Sequence, residues 1–524
     1  MYLIGVIVIA AIAYFLYREL YGKREGLPPG PTPWPVVGNI LQLDLKHPEK
    51  SLVQWGKQYG PVFTIWMPVP FVIVNDYDLM KESFLKQGDI FAGRPETFIM
   101  RQLAKGNFGL VFARDELWRE QRRFALHVLR DFGVGRNMLE PKILDQAREL
   151  ISILHSTKGP TQLKPALTFA VGNVINVMIV GYAWKFGDQR MKEFQAIVDE
   201  FIAFVTKPTI LLLELYPWIR FFEPPFNIGF KRLEKSNHRF QSFFSEEIRK
   251  HKETLDENEQ PRDYTDAYLI EMNKRIKAGN QVPCRTPHAA KVENFQLLRR
   301  RKSLRHAVAA CGGSSFSEWQ LQVAMGDMWS AGMETTVTTL RFAFLYLLNY
   351  PNVLKKLHEE MDEMVGRERD LSMSDQKILP YLCATIHEVQ RIANIVPINI
   401  QHTVTEDVVV GGYRIPKDTI VVAQTPSIHL DEKLFPDPYT FSPERHIDAN
   451  GRFVKNEHIL PFSIGKRACM GESLARMELF LFLGSLVQHC DFRPADGKTP
   501  PPIETVIGSV QSPAPYDCVI VPRT

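Results

Sequence analysis

The chain has 524 residues, of which 45% are hydrophobic and 23% charged, with a formal net charge of +4. This is an ordinary globular composition, and so small a charge excludes the strongly basic surface of a typical nucleic-acid-binding protein. Six scattered cysteines indicate a reducing compartment rather than a disulfide framework.

The N-terminus, residues 1–21, is predicted to be a transmembrane anchor. Residues 1–17 carry no charged side chain and would span roughly 25 Å as a helix, close to the ~30 Å hydrocarbon thickness of a bilayer. A cleaved signal peptide is the alternative, but its charged n-region and small-x-small cleavage site are missing. The basic residues Arg18, Lys23 and Arg24 favour an uncleaved anchor with the body in the cytosol.

A proline-rich segment, residues 22–39, follows the anchor. Its five prolines exclude a helix or a central strand, so a stiff extended linker is predicted. Residues 40–524 would then form one large domain. Near its start, residues 61–75 are β-rich around a turn at Met67–Pro70, which indicates a β-hairpin.

The middle of the chain is mainly helical. Amphipathic periodicity predicts long helices over residues 139–155, 190–205, 228–255 and 317–349. Short strands are expected again around residues 404–422, where a Gly-Gly pair signals a turn. The pattern predicts a mainly α protein with small β-sheets (α+β) and no internal repeat.

Residues 282–313 differ in amino-acid composition from the helical region that they interrupt. They contain a basic run between Arg299 and Arg305 and two of the six cysteines. No interleaved aromatic residues accompany the basic run, which argues against a nucleic-acid site. A solvated surface loop is one interpretation, although so long a loop is uncommon inside a compact domain.

A single cysteine, Cys469, stands between a basic, glycine-containing turn and a predicted helix that begins at Glu472. A thiol at a helix N-terminus faces the positive end of the helix dipole and unpaired backbone N–H groups. Both favour the thiolate, which is the form that ligates metals. A cysteine that merely packs is the alternative.

The stretch FSIGKRACMG resembles the cysteine-ligand loop of the cytochrome P-450 family. The matching positions are Phe462, Gly465, Arg467, Cys469 and Gly471. The resemblance implies the cytochrome P-450 fold and a heme b whose iron is held by the Cys469 thiolate, which favours O–O cleavage. Gly465 would allow a tight turn, and Gly471 a close approach of the following helix to the macrocycle.

The motif AGMETT, residues 331–336, lies in a helix predicted over residues 318–347. The family resemblance implies a widened helical turn over the haem. Thr335 would bond to dioxygen there, and Glu334 would relay protons from solvent. A capping or solvent-facing polar cluster is the alternative.

Glu388 and Arg391, in EVQR, are spaced i, i+3 on one helix face, and Arg445, in PERH, can join them. Alone, the first two would be a common surface pair. The resemblance implies instead a buried Glu-Arg-Arg network that stabilises the core. His446 departs from the family, which often has Phe there, and is expected to leave the network intact.

Trp118 and Arg122, in WREQR, match the helix that holds a haem propionate in the family. Arginine is the best partner for a carboxylate in an apolar pocket. Arg467 and His402 are further candidates for this role. His402 is equally consistent with an ordinary histidine at the end of a strand.

The resemblance covers nearly the whole chain after the anchor. It points to the microsomal drug- and lipid-oxidising branch through PPGP, FAGRP (91–95), GYRIPKDT (412–419), FPDP (435–438) and ARMELFLF (475–482). It implies a monooxygenase of the endoplasmic reticulum membrane that inserts one atom of O2 into a fatty acid, steroid or xenobiotic. Electrons would come from NADPH through NADPH-cytochrome P-450 reductase, with cytochrome b5 as a further donor. Residues 282–313 have no counterpart in that branch, so we interpret them as a translated intron or gene-model error, with a flexible loop as the alternative.

An apolar substrate pocket that orients its ligand mostly by shape is expected. Its predicted members are Phe98, Phe108, Val111, Phe112, Ala331, Ile398 and Ile507. The segment 209–222 is apolar and aromatic, and would be either core or a bilayer-dipping entrance. A basic patch is predicted to receive the acidic reductase. Its residues are Arg119, Arg123, Arg130 and Lys466.

Two other functions are consistent with a haem-thiolate site. An isomerase or dehydratase would rearrange peroxides without a reductase, but Glu334 and Thr335 argue against it because such enzymes need no proton relay. A non-catalytic haem protein would bind ligands without oxygen transfer.

Overall fold

The computed structural model describes residues 26–67, 69–133, 139–279 and 315–523, with isolated positions between residues 7 and 22. Most of the predicted anchor and the whole of segment 282–313 therefore lie outside the described residues. Within the described part of the chain, no helix combines the length and the apolar character needed to cross a bilayer.

Helices make up most of the described chain, in agreement with the predicted class. In chain order they are α1 Pro48–Tyr59, α2 Tyr77–Met80, α3 Phe98–Leu103, α4 Asp115–Asp131, α5 Glu140–Ser156, α6 Lys164–Val180, α7 Gln189–Val205, α8 Pro208–Leu215, α9 Glu223–Phe226, α10 Phe230–Thr254, α11 Tyr264–Lys277, α12 Glu318–Asn349, α13 Pro351–Met364, α14 Pro380–Ala393, α15 Pro426–His429 and α16 Glu472–His489. The four long predicted helices correspond to α5, α7, α10 and α12.

The strands are short and belong to small sheets. They are β1 Val62–Met67, β2 Val69–Val74, β3 His402–Thr403, β4 Val408–Val410, β5 Tyr413–Ile415, β6 Ile420–Ala423, β7 Cys490–Pro494, β8 Thr505–Ile507, β9 Gln511–Pro513 and β10 Cys518–Pro522. The largest sheet has the order β1-β2-β6-β3, and two-stranded sheets are formed by β7 with β10, β4 with β5, and β8 with β9.

The predicted hairpin at residues 61–75 is confirmed. Strands β1 and β2 pair antiparallel with Met67 opposite Val69, so the turn is tighter than predicted. Strand β6 joins β2 in parallel. The Gly-Gly turn joins β4 to β5, and both glycines have the positive φ that a tight hairpin requires, 56° at Gly411 and 86° at Gly412.

The proline-rich segment packs on the sheet from Pro29 onward. Thr64 donates its N–H to the Pro29 carbonyl at 2.8 Å, and the Asn39 side chain accepts the N–H of Trp66 at 2.8 Å. Because prolines lack a donor but keep their carbonyls, such a segment can still cover a sheet edge. From Pro29 onward, the segment predicted as a spacer therefore packs against the folded domain.

Three helices form the centre of the molecule. Helix α6 is buried on nearly all sides and packs along α12, while α16 is buried over most of its length and contacts α12 and α5. A helix that is apolar all round belongs in a core. The motif AGMETT and the cysteine-containing loop are thus attached to the most buried helices of the fold.

Candidate active site

The Cys469 loop is a compact turn placed against the segment around Phe84. Cys469 donates its N–H to the Phe462 carbonyl at 2.9 Å, and Ala468 donates to the Gly465 carbonyl at 3.0 Å. Gly465 has φ +86°, and a Cβ there would lie 1.8 Å from the Phe84 carbonyl oxygen. Only glycine fits at this position, which gives the predicted tight turn a physical reason.

Gly471 precedes helix α16 and has an ordinary backbone conformation. A Cβ there would meet only the Cys469 sulfur, at 3.9 Å, which is ordinary contact. Packing within the protein thus does not require this glycine. A close approach of the macrocycle remains its predicted reason.

The Cys469 thiol is not activated by the helix N-terminus alone. Cys469 is accessible to solvent, yet desolvation by the surrounding protein atoms raises its pKa; the Gly471 N–H opposes this shift, the Glu472 carboxylate adds to it, and the positive charge of Arg122 opposes it. The helix N-terminus favours the thiolate as predicted, but desolvation outweighs it. A bound metal ion would displace the thiol proton, which is how ligating cysteines are normally deprotonated.

The residues predicted to hold propionates lie together beside this loop. Arg122 donates from Nη2 to the Ala468 carbonyl at 2.5 Å, which ties α4 to the residue before the cysteine. The Arg467 guanidinium lies over the Trp118 ring, 3.8 Å from its centre. Arg122, Trp118 and Arg467 are therefore brought to one place from α4 and the cysteine loop.

A third arginine, Arg94, completes the cluster and was not predicted as a site residue. It donates to the Gln401 carbonyl at 2.8 Å, as Arg467 does to the carbonyls of Ala92 and Ala113, each at 2.7 Å. Its signal in the sequence is the FAGRP motif. Among the residues that the structure describes, no carboxylate forms an ion pair with Arg94, Arg122 or Arg467.

No carboxylate of the described residues balances the positive charge of this cluster. Burial, with the nearby guanidinium of Arg122, lowers the pKa of Arg94 to about 10. Burial, together with Arg94 and Arg122, lowers that of Arg467 to about 8. Buried donors without a hydrogen-bond partner in the described chain include Arg467 Nη1 and Trp118 Nε1. Buried polar groups are normally paired, so this donor set fits the two carboxylates of a haem.

His402 lies in the same region, but its neutral ring is a poor partner for a carboxylate. Its Nδ1 faces the Phe91 carbonyl at 2.6 Å, so that nitrogen carries the proton. Burial, with the charges of Arg94 and Arg467, lowers its pKa to about 3. The neutral ring then leaves Nε2 as an acceptor, and His402 would bind a propionate only after taking up a proton.

The segment AGMETT lies in α12, and α12 continues through it as a regular α-helix. The predicted widened turn is therefore not present. The Thr335 hydroxyl donates to the Ala331 carbonyl at 2.6 Å, the back-bond that a helical threonine commonly forms. Ala331 is exposed although Trp329 and Met333 beside it are buried.

Glu334 is half-buried on α12, and burial raises its pKa. The charges that act on it are Lys164, Asp199 and Arg341. Lys164 and Asp199 form an ion pair at 3.6 Å and are substantially exposed. Glu334 thus lies within electrostatic range of a solvated ion pair.

The structure brings Glu388, Arg391 and Arg445 together in the core. Arg391 binds the carboxylate through two hydrogen bonds, 2.8 Å from Nε and 2.7 Å from Nη2, and Arg445 Nε adds a third at 3.0 Å. His446 donates a fourth, at 2.8 Å from Nε2, and the Ser442 N–H a fifth, at 3.2 Å. The departure from the family pattern therefore enlarges this network, because His446 joins it directly.

The predicted pocket residues are not gathered in one apolar cluster. Phe98 is buried among residues of α3, α8 and α10, whereas Ile398 packs beside the first hairpin. Phe108, Val111 and Phe112 are half-buried on one loop. Ala331 lies on α12 itself, and Ile507 belongs to the β8–β9 hairpin, which Arg341 of α12 contacts at the Pro513 carbonyl.

Gln320 and Asp327 hold that loop, and neither was predicted. The Gln320 side chain bonds both backbone groups of Gly109, at 2.9 Å and 2.8 Å. Asp327 accepts the N–H groups of Leu110 at 2.7 Å and Val111 at 3.0 Å. Both side chains lie on α12, the helix that contains AGMETT. The same helix therefore positions the loop and carries the motif.

A mainly helical fold with a cysteine loop beside three arginines that no described carboxylate pairs with fits a haem-thiolate protein. The sequence profile described as Cytochrome P450 matches residues 28–295 and 290–520, two stretches that meet inside segment 282–313. The chain belongs to the cytochrome P450 family.

Curated relatives match over almost the whole length. The chain is 37% identical to "Probable cytochrome P450 CYP36A1" of Caenorhabditis elegans, covering 98% of this chain and 97% of that protein. It is 35% identical to "Cytochrome P450 2C25" of Mesocricetus auratus, covering 99% of both, and 36% identical to "Cytochrome P450 2C7" of Rattus norvegicus, covering 97% and 96%. The protein is a haem-thiolate monooxygenase that uses O2 and electrons derived from NADPH.

Proposed function

We propose that this monooxygenase oxidises a lipophilic substrate at the membrane of the endoplasmic reticulum, with electrons delivered by NADPH-cytochrome P-450 reductase. The observation that carries the proposal is the convergence of the Cys469 loop with Arg94, Arg122 and Arg467, none of which pairs with a carboxylate among the described residues. When bound, haem supplies the redox chemistry that activates O2. The chain supplies the thiolate of Cys469 and the donors for the propionates.

The proton supply is assigned to Glu334 and Thr335. Glu334 has a raised pKa and faces the exposed Lys164–Asp199 pair, so it can exchange a proton with solvent. The Thr335 hydroxyl is bonded to Ala331 and must leave that carbonyl before it donates elsewhere. A hydroxyl next to a carboxyl of raised pKa suits stepwise proton delivery.

The substrate is proposed to be a fatty acid, a steroid or a xenobiotic. The loop that Gln320 and Asp327 hold on α12 presents Phe108, Val111 and Phe112. These side chains offer apolar surface without a charged anchor, so a ligand would be oriented mainly by shape. This suits hydroxylation or epoxidation of a lipophilic compound.

Contact with the membrane is proposed at the segment that follows α8. Its side chains are unusually exposed for apolar residues: Trp218 is 57% exposed, Phe221 72% and Phe226 71%. Tyr216 donates its hydroxyl to the Val36 carbonyl at 2.6 Å, so this surface adjoins the chain that leads from the N-terminus. An exposed aromatic surface next to a predicted anchor suits insertion into lipid.

The docking surface for the reductase, and for cytochrome b5, is proposed around the outer side of α4. Arg119, Arg123 and Arg130 are exposed on this helix, and Lys466 is exposed on the cysteine loop. Asp89 partly neutralises the patch, since it pairs with Lys466 at 2.7 Å and lies 3.6 Å from Arg119. An acidic partner would have to compete with Asp89 for these cations.

Reconstitution with and without the reductase tests the proposal. The reduced protein should give the long-wavelength Soret band of a thiolate-ligated haem with carbon monoxide, and Cys469→Ser should lose it. Product formation from a panel of lipids and drugs should require both NADPH and reductase. Turnover of peroxides without reductase would instead identify an isomerase or dehydratase, and ligand binding without any turnover a non-catalytic protein.

A further inference from the structure

Glu478 is a carboxyl group in the core that the reaction described above does not use. It lies on α16, the helix that begins three residues after Cys469, and is 1% exposed. Its Oε2 accepts the hydroxyl of Thr336 at 3.1 Å, while its Oε1 is buried without a hydrogen-bond partner among the described residues. Thr336 directly follows Thr335 on α12. One hydrogen bond therefore joins the cysteine-ligand helix to the proposed proton-delivery residues.

The surroundings of Glu478 favour its neutral form. A buried carboxylate needs several donors, or a cation, to remain ionised, and Glu478 has one neutral hydroxyl. Helices α5, α12, α13 and α14, strand β7 and the turn Met373–Lys377 pack against α16, and no charged side chain described in them shifts its pKa. Burial raises the pKa to about 8, and the hydroxyl of Thr336 opposes this only in part.

We propose that Glu478 is a positioning residue: as a neutral acid, it holds α12 at Thr336 in a fixed position against α16, and thereby places Thr335 and Glu334. An ionised Glu478 would be an unpaired buried charge, which the core relieves by moving toward water or another donor. That movement would displace Thr336 and the turn that contains Thr335. The inference rests on the proposed roles of Glu334 and Thr335.

The protonation state can be tested without any reaction. The unfolded chain releases this proton above the ordinary value of 4.5, whereas the native chain keeps it until about pH 8. The native state therefore loses stability as pH rises through this window. Glu478→Gln stays neutral, so its unfolding temperature should fall less steeply over the same window. Infrared spectra should show the C=O stretch of a protonated carboxyl at neutral pH that is missing from Glu478→Gln.

The positioning role is tested by coupling, measured as product formed per NADPH consumed in the reconstituted full-length enzyme. Glu478→Gln and Thr336→Ser keep a hydrogen bond and should couple like the wild type at neutral pH. Glu478→Leu and Thr336→Val lose it and should release several-fold more hydrogen peroxide per product. Wild-type coupling should also fall as pH rises above about 8, whereas that of Glu478→Gln should not.

Thr338→Val is the matched control. It removes a buried hydroxyl of the same helix that has no hydrogen-bond partner in the described chain, and should couple like the wild type. Unchanged coupling in Thr336→Val, or equal pH slopes of stability in the wild type and Glu478→Gln, would overturn the inference. Thr335→Ala, measured alongside, tests the proposed function separately: full coupling in that variant would contradict the proton-delivery role whatever the Glu478 variants do.

Discussion

Arg94 joins two distant parts of the chain through backbone carbonyls. Its Nε donates to Val111 at 3.1 Å, and its Nη1 donates to Gln401 at 2.8 Å and to Ile400 at 3.2 Å. The residue is buried. The same guanidinium thus holds the loop of the predicted pocket, supports the segment before His402, and contributes charge to the propionate cluster.

We expect Arg94→Met to weaken both the fold and haem retention. It leaves carbonyls of the pocket loop and of residue 401 unpaired, at about 1–3 kcal/mol for each buried group, and removes one cation from the cluster. Denaturant unfolding and the Soret absorbance per protein measure the two effects. Arg101→Met, which changes an exposed arginine on α3, should alter neither. Full haem content in Arg94→Met would show that the cluster needs only Arg122 and Arg467.

The network of five hydrogen bonds around the Glu388 carboxylate makes stability depend on pH in the acid range. Burial favours the protonated form of Glu388, but Arg391 and His446 outweigh it and lower its pKa to about 2 from 4.5. Its stabilising contribution, about 3 kcal/mol for a shift of this size, is complete above about pH 4.5 and is lost as pH falls through about 2. Denaturant unfolding from about pH 6 to about pH 3 measures the onset of this loss.

His446→Phe restores the residue that the family often has and removes one donor. We expect the acid-dependent loss to begin at higher pH in this variant, because the pKa of Glu388 rises when a hydrogen bond to the carboxylate is removed. Glu388→Gln cannot ionise and should show none of this dependence. Identical acid profiles for the wild type and His446→Phe would mean that His446 only fills space.

At the level of elements, the loop of residues 108–112 depends on a glycine. Gly109 has φ +84°, and a Cβ there would lie 2.2 Å from Asp327 Oδ2. Gly159 also has a positive φ, +76°, but nothing lies near its Cβ position. Both alanine variants carry the backbone cost of a positive φ, about 1–2 kcal/mol, and only Gly109→Ala also displaces Asp327.

We therefore expect Gly109→Ala to cost about 1–3 kcal/mol more than Gly159→Ala, the usual cost of overpacking. It should also change the product ratio for a substrate with several oxidisable positions, because the loop carries Phe108, Val111 and Phe112. Urea unfolding and product analysis measure the two effects. Equal stability losses would indicate that Asp327 moves aside without resistance.

The described residues on the two sides of the atypical segment contact one side chain of α4. Glu120 pairs with Arg275 and accepts the hydroxyl of Ser315, and the Arg275 guanidinium lies 4.1 Å from the centre of the Phe316 ring. Deleting residues 282–313 should therefore preserve the fold and the carbon monoxide spectrum. Adding Glu120→Gln to the shortened chain should lower its unfolding temperature. Loss of haem binding on deletion alone would contradict the interpretation of this segment as a gene-model error. Mass-spectrometric detection of peptides from residues 287–311 in native protein would contradict it as well.

The sequence allowed local features to be predicted better than those formed by distant residues. Helix positions followed from amphipathic periodicity, and α12 differs from its predicted span by only a few residues. Arg94, Gln320 and Asp327 were missed because their partners are backbone groups far away in the chain, which no local pattern reveals. The enlarged network of His446 was missed for the same reason: its contact with Glu388 spans 58 positions.

For the whole molecule, the exposed aromatic surface around Trp218 should enter the bilayer. In vesicles whose acyl chains carry bromine, the emission of Trp218 should be quenched, and the quenched fraction should fall in Trp218→Phe. Trp319 serves as the control, since its indole donates to the Ala104 carbonyl at 2.9 Å. Trp319→Phe should not lower the quenched fraction. Unchanged quenching in Trp218→Phe would place this surface in water.

The meeting of Arg275 and Ser315 at Glu120 has a practical consequence for engineering. Because Arg275 and Ser315 bind the same carboxylate, the described chain before and after the segment lies at neighbouring points. A guest domain with adjacent termini, such as a fluorescent reporter, inserted between them should be tolerated without separating α11 from α12. The fold thus offers an internal site for labels that is close in space, though distant in the chain, to the helix that carries Trp118 and Arg122.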